Sequence, residues 1–133
     1  MPPDSKLNLN ARVLLVEDDD GVRETVALVL KGAGCVVLPV RNGRDALLAL
    51  AKWRAEVAVI DIFMPVMDGL ELMRVLRLRH PELRILAVSG GDRSGRIDYL
   101  GTARRIGADE CLSKPFTPAK LIEAVDRLAN ARD

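Results

Sequence analysis

Short apolar runs alternate along the chain with segments in which apolar residues recur every three or four positions. A short run is typical of a buried strand, and the longer spacing is typical of a helix that buries one face. Five predicted strands and five predicted helices follow one another in strict alternation. The predicted strands contain Val13–Val16, Cys35–Val40, Val57–Ile60, Ile85–Val88 and Cys111–Ser113. This alternation favours an α/β fold, with a parallel sheet covered by helices on both faces.

Residues that commonly begin helices mark the start of four predicted helices. They are Asp19 to Gly21, Asn42 with Gly43, Asp68 in a segment that resembles a capping box, and Thr117 followed by Pro118. Pro39 lies inside the second predicted strand. Because proline has no N–H to donate to a neighbouring strand, we expect Pro39 near a sheet edge or a strand end.

Four predicted strands lead into polar side chains. The first leads into Glu17 and Asp18, the third into Asp61, the fourth into Ser89 and the fifth into Lys114. The carboxyl ends of parallel strands share one edge of a sheet, which is where open α/β sheets bind ligands. We therefore expect these five side chains to converge on one site.

The composition favours one soluble domain. The chain has 133 residues, of which 49% are hydrophobic and 29% are charged, and this length can bury a core. No run approaches the roughly 18 apolar residues of a membrane span, and no signal peptide is evident, so we expect a cytoplasmic protein without membrane insertion. The net charge of +1 gives no overall attraction to nucleic acid. Cys35 and Cys111 lie in apolar runs and are expected as thiols, not as a disulfide.

Four segments resemble the signature segments of the response-regulator receiver domain, the CheY-like family of two-component signalling. They are Val16–Asp19, Val59–Gly69, Ala87–Ser89 and Leu112–Phe116, in the order and spacing of that family. The resemblance extends from about Arg12 to about Ala129. It implies a flavodoxin-like, doubly wound (βα)5 fold with strand order 2-1-3-4-5. The predicted receiver domain spans residues 11–133 and follows an N-terminal arm over residues 1–10.

Asp61 is the predicted phosphoacceptor, because a carboxylate can attack a phosphoryl group and hold it as an acyl phosphate. Glu17 and Asp18, placed beside Asp61, would repel the incoming phosphoryl group unless a cation accompanied them. A small, hard ion that is held by one or two carboxylates and by water is typical of Mg²⁺. Mn²⁺ could replace it. The sequence therefore predicts Mg²⁺ as the cofactor.

The resemblance assigns the metal ligands. It implies that Asp18 and Asp61 bind the metal directly and that Glu17 acts through water. The backbone carbonyl of Phe63 would be a third protein ligand, which tolerates any side chain at that position.

The resemblance also assigns the groups that contact the phosphoryl oxygens. Lys114 would pair with Asp61 before transfer and with a phosphoryl oxygen afterwards, and Ser89 would donate its hydroxyl to another oxygen. The Lys114-Pro115 peptide resembles the cis peptide of the family. Gly90 would leave room for the phosphoryl group beside Ser89.

Two positions depart from the family pattern. Cys111 stands where receivers usually carry a tyrosine or phenylalanine that turns inward on phosphorylation. Our hypothesis is that Ser89 still moves toward the phosphoryl group and carries residues 90–95 with it, so that the fourth helix reports the change. Phe63 stands where the family often has a polar residue, and we expect its ring to alter the lifetime of the acyl phosphate.

The predicted function is that of a stand-alone receiver. A histidine kinase or a histidine phosphotransfer protein would donate the phosphoryl group, and phosphorylation would change the affinity for an unknown target protein. We expect no turnover of an external substrate, so the protein is not predicted to be an enzyme. No effector segment follows the fifth predicted helix within this sequence.

Other interpretations remain open from the sequence. The chain could be a receiver-like interaction module that takes no phosphate, or a receiver fragment of a larger response regulator or hybrid kinase. An enzyme on a nucleotide-binding scaffold is disfavoured, because Gly32 to Gly34 lie on the wrong side of a strand for a dinucleotide fingerprint and no Walker sequence exists. The haloacid-dehalogenase pattern also fails, since Phe63 fills the position of its second aspartate.

Overall fold

The structure is a computed structural model that describes residues 8–63, 69–90 and 99–130, with the backbone alone for residues 99 and 100. Strands and helices alternate along these ranges. In chain order they are β1 (Arg12–Val16), α1 (Asp20–Gly32), β2 (Val36–Val40), α2 (Gly43–Leu50), β3 (Val57–Asp61), α3 (Gly69–Arg79), β4 (Arg84–Ser89), α4 (Tyr99–Ile106), β5 (Glu110–Ser113) and α5 (Pro118–Ala129).

The strands form one parallel sheet in the order β2-β1-β3-β4-β5. This confirms the predicted α/β fold class and its strand order 2-1-3-4-5. β2 is an edge strand, and Pro39 of β2 is opposite Leu15 of β1. The position of Pro39 at a sheet edge is therefore confirmed, and it leaves the central strands free of proline.

Successive residues of each central strand face opposite sides of the sheet and enter two separate cores. On one side, Val13 and Leu15 of β1 pack with residues of α1 and α5. On the other side, Leu14 and Val16 pack with residues of α2, α3 and α4. Burial on both faces explains why the central strands are almost wholly apolar until their carboxyl ends.

Three helices begin at a side chain that accepts a hydrogen bond from the backbone N–H three residues further on. The donor–acceptor distances are 2.9 Å for Asp19, 2.8 Å for Asn42 and 3.1 Å for Thr117. These contacts confirm the predicted starts of α1, α2 and α5. The predicted capping box at Asp68 lies outside the described residues.

Residues 8–10 contact the turn that follows α1. The N–H groups of Leu9 and Asn10 donate to the carbonyls of Ala33 and Gly34 at 3.0 and 3.2 Å. Gly34 has a φ of +90°, and a Cβ there would lie 2.6 Å from Asn8 Oδ1, so glycine is required. The boundary between an arm at 1–10 and a domain at 11–133 stays a prediction. Among the described helices, none has the length and apolar character of a membrane span.

Candidate functional site

Three carboxylates from two strand ends meet at the carboxyl edge of the sheet. Glu17 and Asp18 follow β1 and Asp61 ends β3, and one oxygen of each lies within 4.8 Å of the other two. Glu17 and Asp61 are buried, with 4% and 6% of their surface exposed, whereas Asp18 is exposed. The structure thus brings the three predicted acidic residues together, with one carboxylate facing the solvent.

Lys114 places an ammonium group among these carboxylates. Its Nζ lies 3.0 Å from Glu17 Oε1 and 3.7 Å from Asp61 Oδ2. The resemblance implied a pair with Asp61, and the structure adds a closer partner in Glu17. Burial lowers the pKa of Lys114, but the hydrogen bond to Glu17 and the nearby carboxylate charges raise it above the ordinary value. The lysine therefore stays charged between two buried acids.

Asp61 holds less negative charge than an ordinary aspartate. Its burial, reinforced by the negative charge of Glu17, raises the pKa of Asp61 to about 7, although Lys114 opposes the shift. The N–H of Phe63 donates to Asp61 Oδ1 at 3.2 Å, which also favours the charged form. In the absence of a cation, Asp61 is therefore partly protonated near neutral pH.

Glu17 is fixed on both of its carboxylate oxygens. Oε1 accepts from Lys114, and Oε2 accepts from the N–H of Asp19 at 3.1 Å. The pKa of Asp18 is also raised, first by partial burial and then by the hydrogen bond and charge of Glu17. Among the described residues, three carboxylates thus lie close together, and one ammonium contacts two of them.

Ser89 lies at the same edge and is fully buried at the end of β4. Its backbone carbonyl accepts from the N–H of Lys114 at 2.8 Å. The backbone of the predicted phosphoryl-contacting serine therefore holds the backbone of the predicted lysine. The Lys114-Pro115 peptide is cis, as expected. A Cβ at Gly90 would meet no atom of the described residues within 4 Å.

The start of α3 packs directly against the end of β3. A Cβ at Gly69 would lie 2.5 Å from the carbonyl oxygen of Asp61, and the N–H of Gly69 donates to Ile62 at 2.9 Å. The sequence did not predict this contact of Gly69. The only sequence signal was a glycine soon after the strand that ends in Asp61.

Cys35 and Cys111 are not joined in a disulfide, as expected. Burial raises the pKa of the Cys35 thiol. Cys111 is half-buried and packs against the core on the side of α2, α3 and α4. The loop that our switching hypothesis concerns includes residues 91–95, which lie outside the described residues, so that hypothesis stays a prediction.

The donor set fits Mg²⁺. Oxygen ligands that carry negative charge suit a small, hard divalent cation, and three carboxylates lie together here beside one described ammonium, that of Lys114. Asp18, Asp61 and Glu17 are close enough to share one ion or its water ligands. The carbonyl of Phe63 as a further ligand stays a prediction.

A family model described as the response regulator receiver domain matches residues 13–126. The chain therefore belongs to the response regulator receiver domain family. Its sequence is 36% identical to the response regulator protein FleR of Pseudomonas aeruginosa, over 90% of this chain and 24% of that protein. It is 38% identical to the response regulator MprA of Mycolicibacterium vanbaalenii, over 84% of this chain and 47% of that protein.

The fold is similar to that of the chemotaxis protein CheY4 of Vibrio cholerae. The TM-score is 0.80 with 31% identity, over 89% of this chain and 98% of that chain. The two curated relatives are longer than this sequence, which spans about a quarter of FleR and about half of MprA. The comparisons therefore establish the receiver domain but not the activity of the whole protein.

Proposed function

We propose that this receiver accepts a phosphoryl group on Asp61 in a Mg²⁺-dependent reaction and signals by phosphorylation-dependent binding to a target protein. The donor would be a histidine kinase or a histidine phosphotransfer protein. One observation carries the proposal: a buried carboxylate lies within 4.8 Å of two further carboxylates and 3.7 Å from a lysine ammonium. A simple solvated acidic loop would not bury Glu17 and Asp61 around a lysine.

The nucleophile is a carboxylate oxygen of Asp61. A bond forms between that oxygen and phosphorus as the P–N bond of the donor phosphohistidine breaks. The electron pair of the broken bond stays on the imidazole nitrogen, which takes up a proton. Asp18 and Asp61, with Glu17 through water and the carbonyl of Phe63, would hold Mg²⁺, which supplies charge compensation for the phosphoryl oxygens.

Lys114 and Ser89 orient the transferred group. The ammonium of Lys114 lies 3.7 Å from Asp61 Oδ2, so it can donate to an oxygen of a phosphoryl group attached there. The hydroxyl of Ser89 would donate to a second oxygen, at the end of the neighbouring strand β4. The transferred phosphoryl group stays attached to the protein. We therefore propose no turnover of an external substrate.

Intact-mass spectrometry after treatment with phosphoramidate tests the proposal. We expect the mass of one added phosphoryl group with Mg²⁺ and almost none after chelation of the metal. Asp61→Asn should abolish the adduct. The matched control is Asp126→Asn, which removes a carboxylate on α5 and should be labelled like the unchanged protein. An unlabelled wild-type protein would favour an interaction module that takes no phosphate.

We also propose that the protein is cytoplasmic and acts as a stand-alone receiver. Its target protein has to be found by experiment. A pull-down with the phosphorylated protein, compared with Asp61→Asn, would reveal a partner that binds only the phosphorylated form. The mass of the protein isolated from its own cells would show whether the receiver carries an output domain. Equal capture by the two forms would contradict signalling through phosphorylation.

A further inference from the structure

Arg23 reaches back from the first turn of α1 to the acidic segment that follows β1. Its guanidinium donates to the backbone carbonyl of Glu17 at 2.9 Å and lies 3.5 Å from the carbonyl of Asp18. A second nitrogen pairs with the carboxylate of Asp20. We propose that Arg23 is a positioning residue that fixes the Glu17–Asp18 backbone for metal binding, an inference that rests on the proposed function.

The contacts around Asp18 show what this arginine adds. The N–H of Glu17 donates to Val40 of β2 at 3.1 Å, and the carbonyl of Asp19 accepts from the N–H of Arg23 at 2.8 Å. The guanidinium adds a hydrogen bond at the carbonyl of Glu17. The backbone is therefore held on both sides of Asp18, while the Asp18 side chain stays exposed at the cluster.

Arg23 and Lys114 contact different chemical groups of the same segment. Lys114 contacts carboxylate oxygens, at 3.0 Å in Glu17, and can pass from them to a phosphoryl oxygen. Arg23 contacts backbone carbonyls, at 2.9 Å in Glu17. A fork of rigid donors suits that task better than a single ammonium.

A simpler interpretation is an ion pair that stabilises the start of a helix. Asp20 is largely exposed, and exposed pairs of this kind contribute little to stability. The Arg23 side chain itself is only 16% exposed, because its end turns toward the carbonyls. The bond to Glu17 is therefore the contact that distinguishes Arg23 from an ordinary arginine of a helix surface.

The sign of one measurement separates positioning from charge. Removing a cation near the site would strengthen Mg²⁺ binding if Coulomb repulsion were its main effect. Loss of positioning would weaken binding, and partners that orient metal ligands typically contribute about 10- to 100-fold in affinity. We expect Arg23→Gln to weaken Mg²⁺ affinity about tenfold, at the low end of that range. Isothermal titration calorimetry with Mg²⁺ alone measures it.

A readout without metal is the amide hydrogen exchange of Asp19, whose N–H donates to Glu17 Oε2. In the metal-free protein, Arg23→Gln should speed this exchange more than exchange in α5. The matched control is Arg77→Gln, since Arg77 also donates to two backbone carbonyls, those of Pro81 and Leu83. It should lower stability and leave Mg²⁺ affinity unchanged.

Wild-type or tighter Mg²⁺ binding by Arg23→Gln would overturn the inference. If that variant does not fold, Arg23→Lys decides, because it keeps the charge and loses the fork: weaker binding supports positioning and unchanged binding refutes it. Phosphorylation of the wild-type protein is scored separately. Mg²⁺ binding without phosphorylation would end the proposed function while the comparison of arginine variants still stands.

Discussion

Asp61 combines burial with a neighbouring carboxylate, and the pH dependence of stability should reveal both. Its pKa is about 7 in the folded protein and about 3.8 as a free side chain. Between these values the folded state keeps a proton that the unfolded state has lost. The contribution of Asp61 to stability is therefore greatest below pH 4 and falls as pH rises toward 7.

We expect Asp61→Asn to stabilise the metal-free protein at pH 8, by roughly 2 kcal/mol, with little change at pH 4. The physical reason is that the amide does not have to ionise beside Glu17. Urea unfolding in the presence of a chelator, at both pH values, measures the effect. If the variant is less stable than wild type at pH 8, then ionisation of Asp61 without metal does not destabilise the folded protein.

Phe63 is the side chain that we expect to set the lifetime of the acyl phosphate. Phe63 is 41% exposed and lies two residues after Asp61, so we expect its ring to hinder water that approaches the phosphoryl group. Phe63→Asn should therefore shorten the lifetime, as followed by the decay of phosphorylated protein after removal of the donor. Leu78→Asn also replaces an exposed apolar side chain, but on α3. It should leave the decay of the phosphorylated protein unchanged. Equal lifetimes of all three proteins would refute the role of the ring.

At the scale of elements, the contact between β3 and α3 positions Asp61. Gly69→Ala would put a Cβ 2.5 Å from the carbonyl oxygen of Asp61, so the helix start or the strand end must move. We expect a loss of about 1–3 kcal/mol in stability and slower phosphorylation. The control is Gly32→Ala at the end of α1, where a Cβ would meet no described atom within 4 Å. Similar denaturation curves for the two variants would contradict this contact.

Local signals explain which elements could be predicted from sequence. Asp19 and Thr117 begin helices by hydrogen bonds within four residues, so sequence alone contains the whole interaction. The edge position of β2 follows similarly from the missing N–H of Pro39. The Gly69 contact joins the start of α3 to the end of β3. Between these elements, residues 64–68 lie outside the described part of the chain. The closeness of this contact depends on how α3 docks, which no local pattern encodes.

The sequence predicted which residues converge on the site better than it predicted which of them form ion pairs or hydrogen bonds. Parallel strands place their carboxyl ends at one edge, so the convergence of Asp61 with Glu17 and Asp18 follows from the fold. The preference of Lys114 for Glu17 depends on side-chain geometry between β5 and β1. Arg23 was missed for the same reason, because its partner is a carbonyl, and every residue type has one.

At the scale of the whole molecule, we expect the cluster of three carboxylates to make the stability of the domain depend on divalent cations. Mg²⁺ should raise the melting temperature, since a ligand at 100 times its dissociation constant adds about 2.7 kcal/mol to native stability. Sodium chloride at equal ionic strength is the control, and Asp18→Asn should remove most of the effect. An unchanged melting temperature across a Mg²⁺ titration would contradict the metal site.

The central claim is that Asp61 is the residue that becomes phosphorylated, and reductive trapping tests it most directly. Borohydride converts an aspartyl phosphate to homoserine, which tandem mass spectrometry can locate in the chain. After treatment with phosphoramidate and Mg²⁺, we expect homoserine at position 61 and none after chelation of the metal. Trapping at position 17 or 18, or no trapping at all in protein that binds Mg²⁺, would contradict the account.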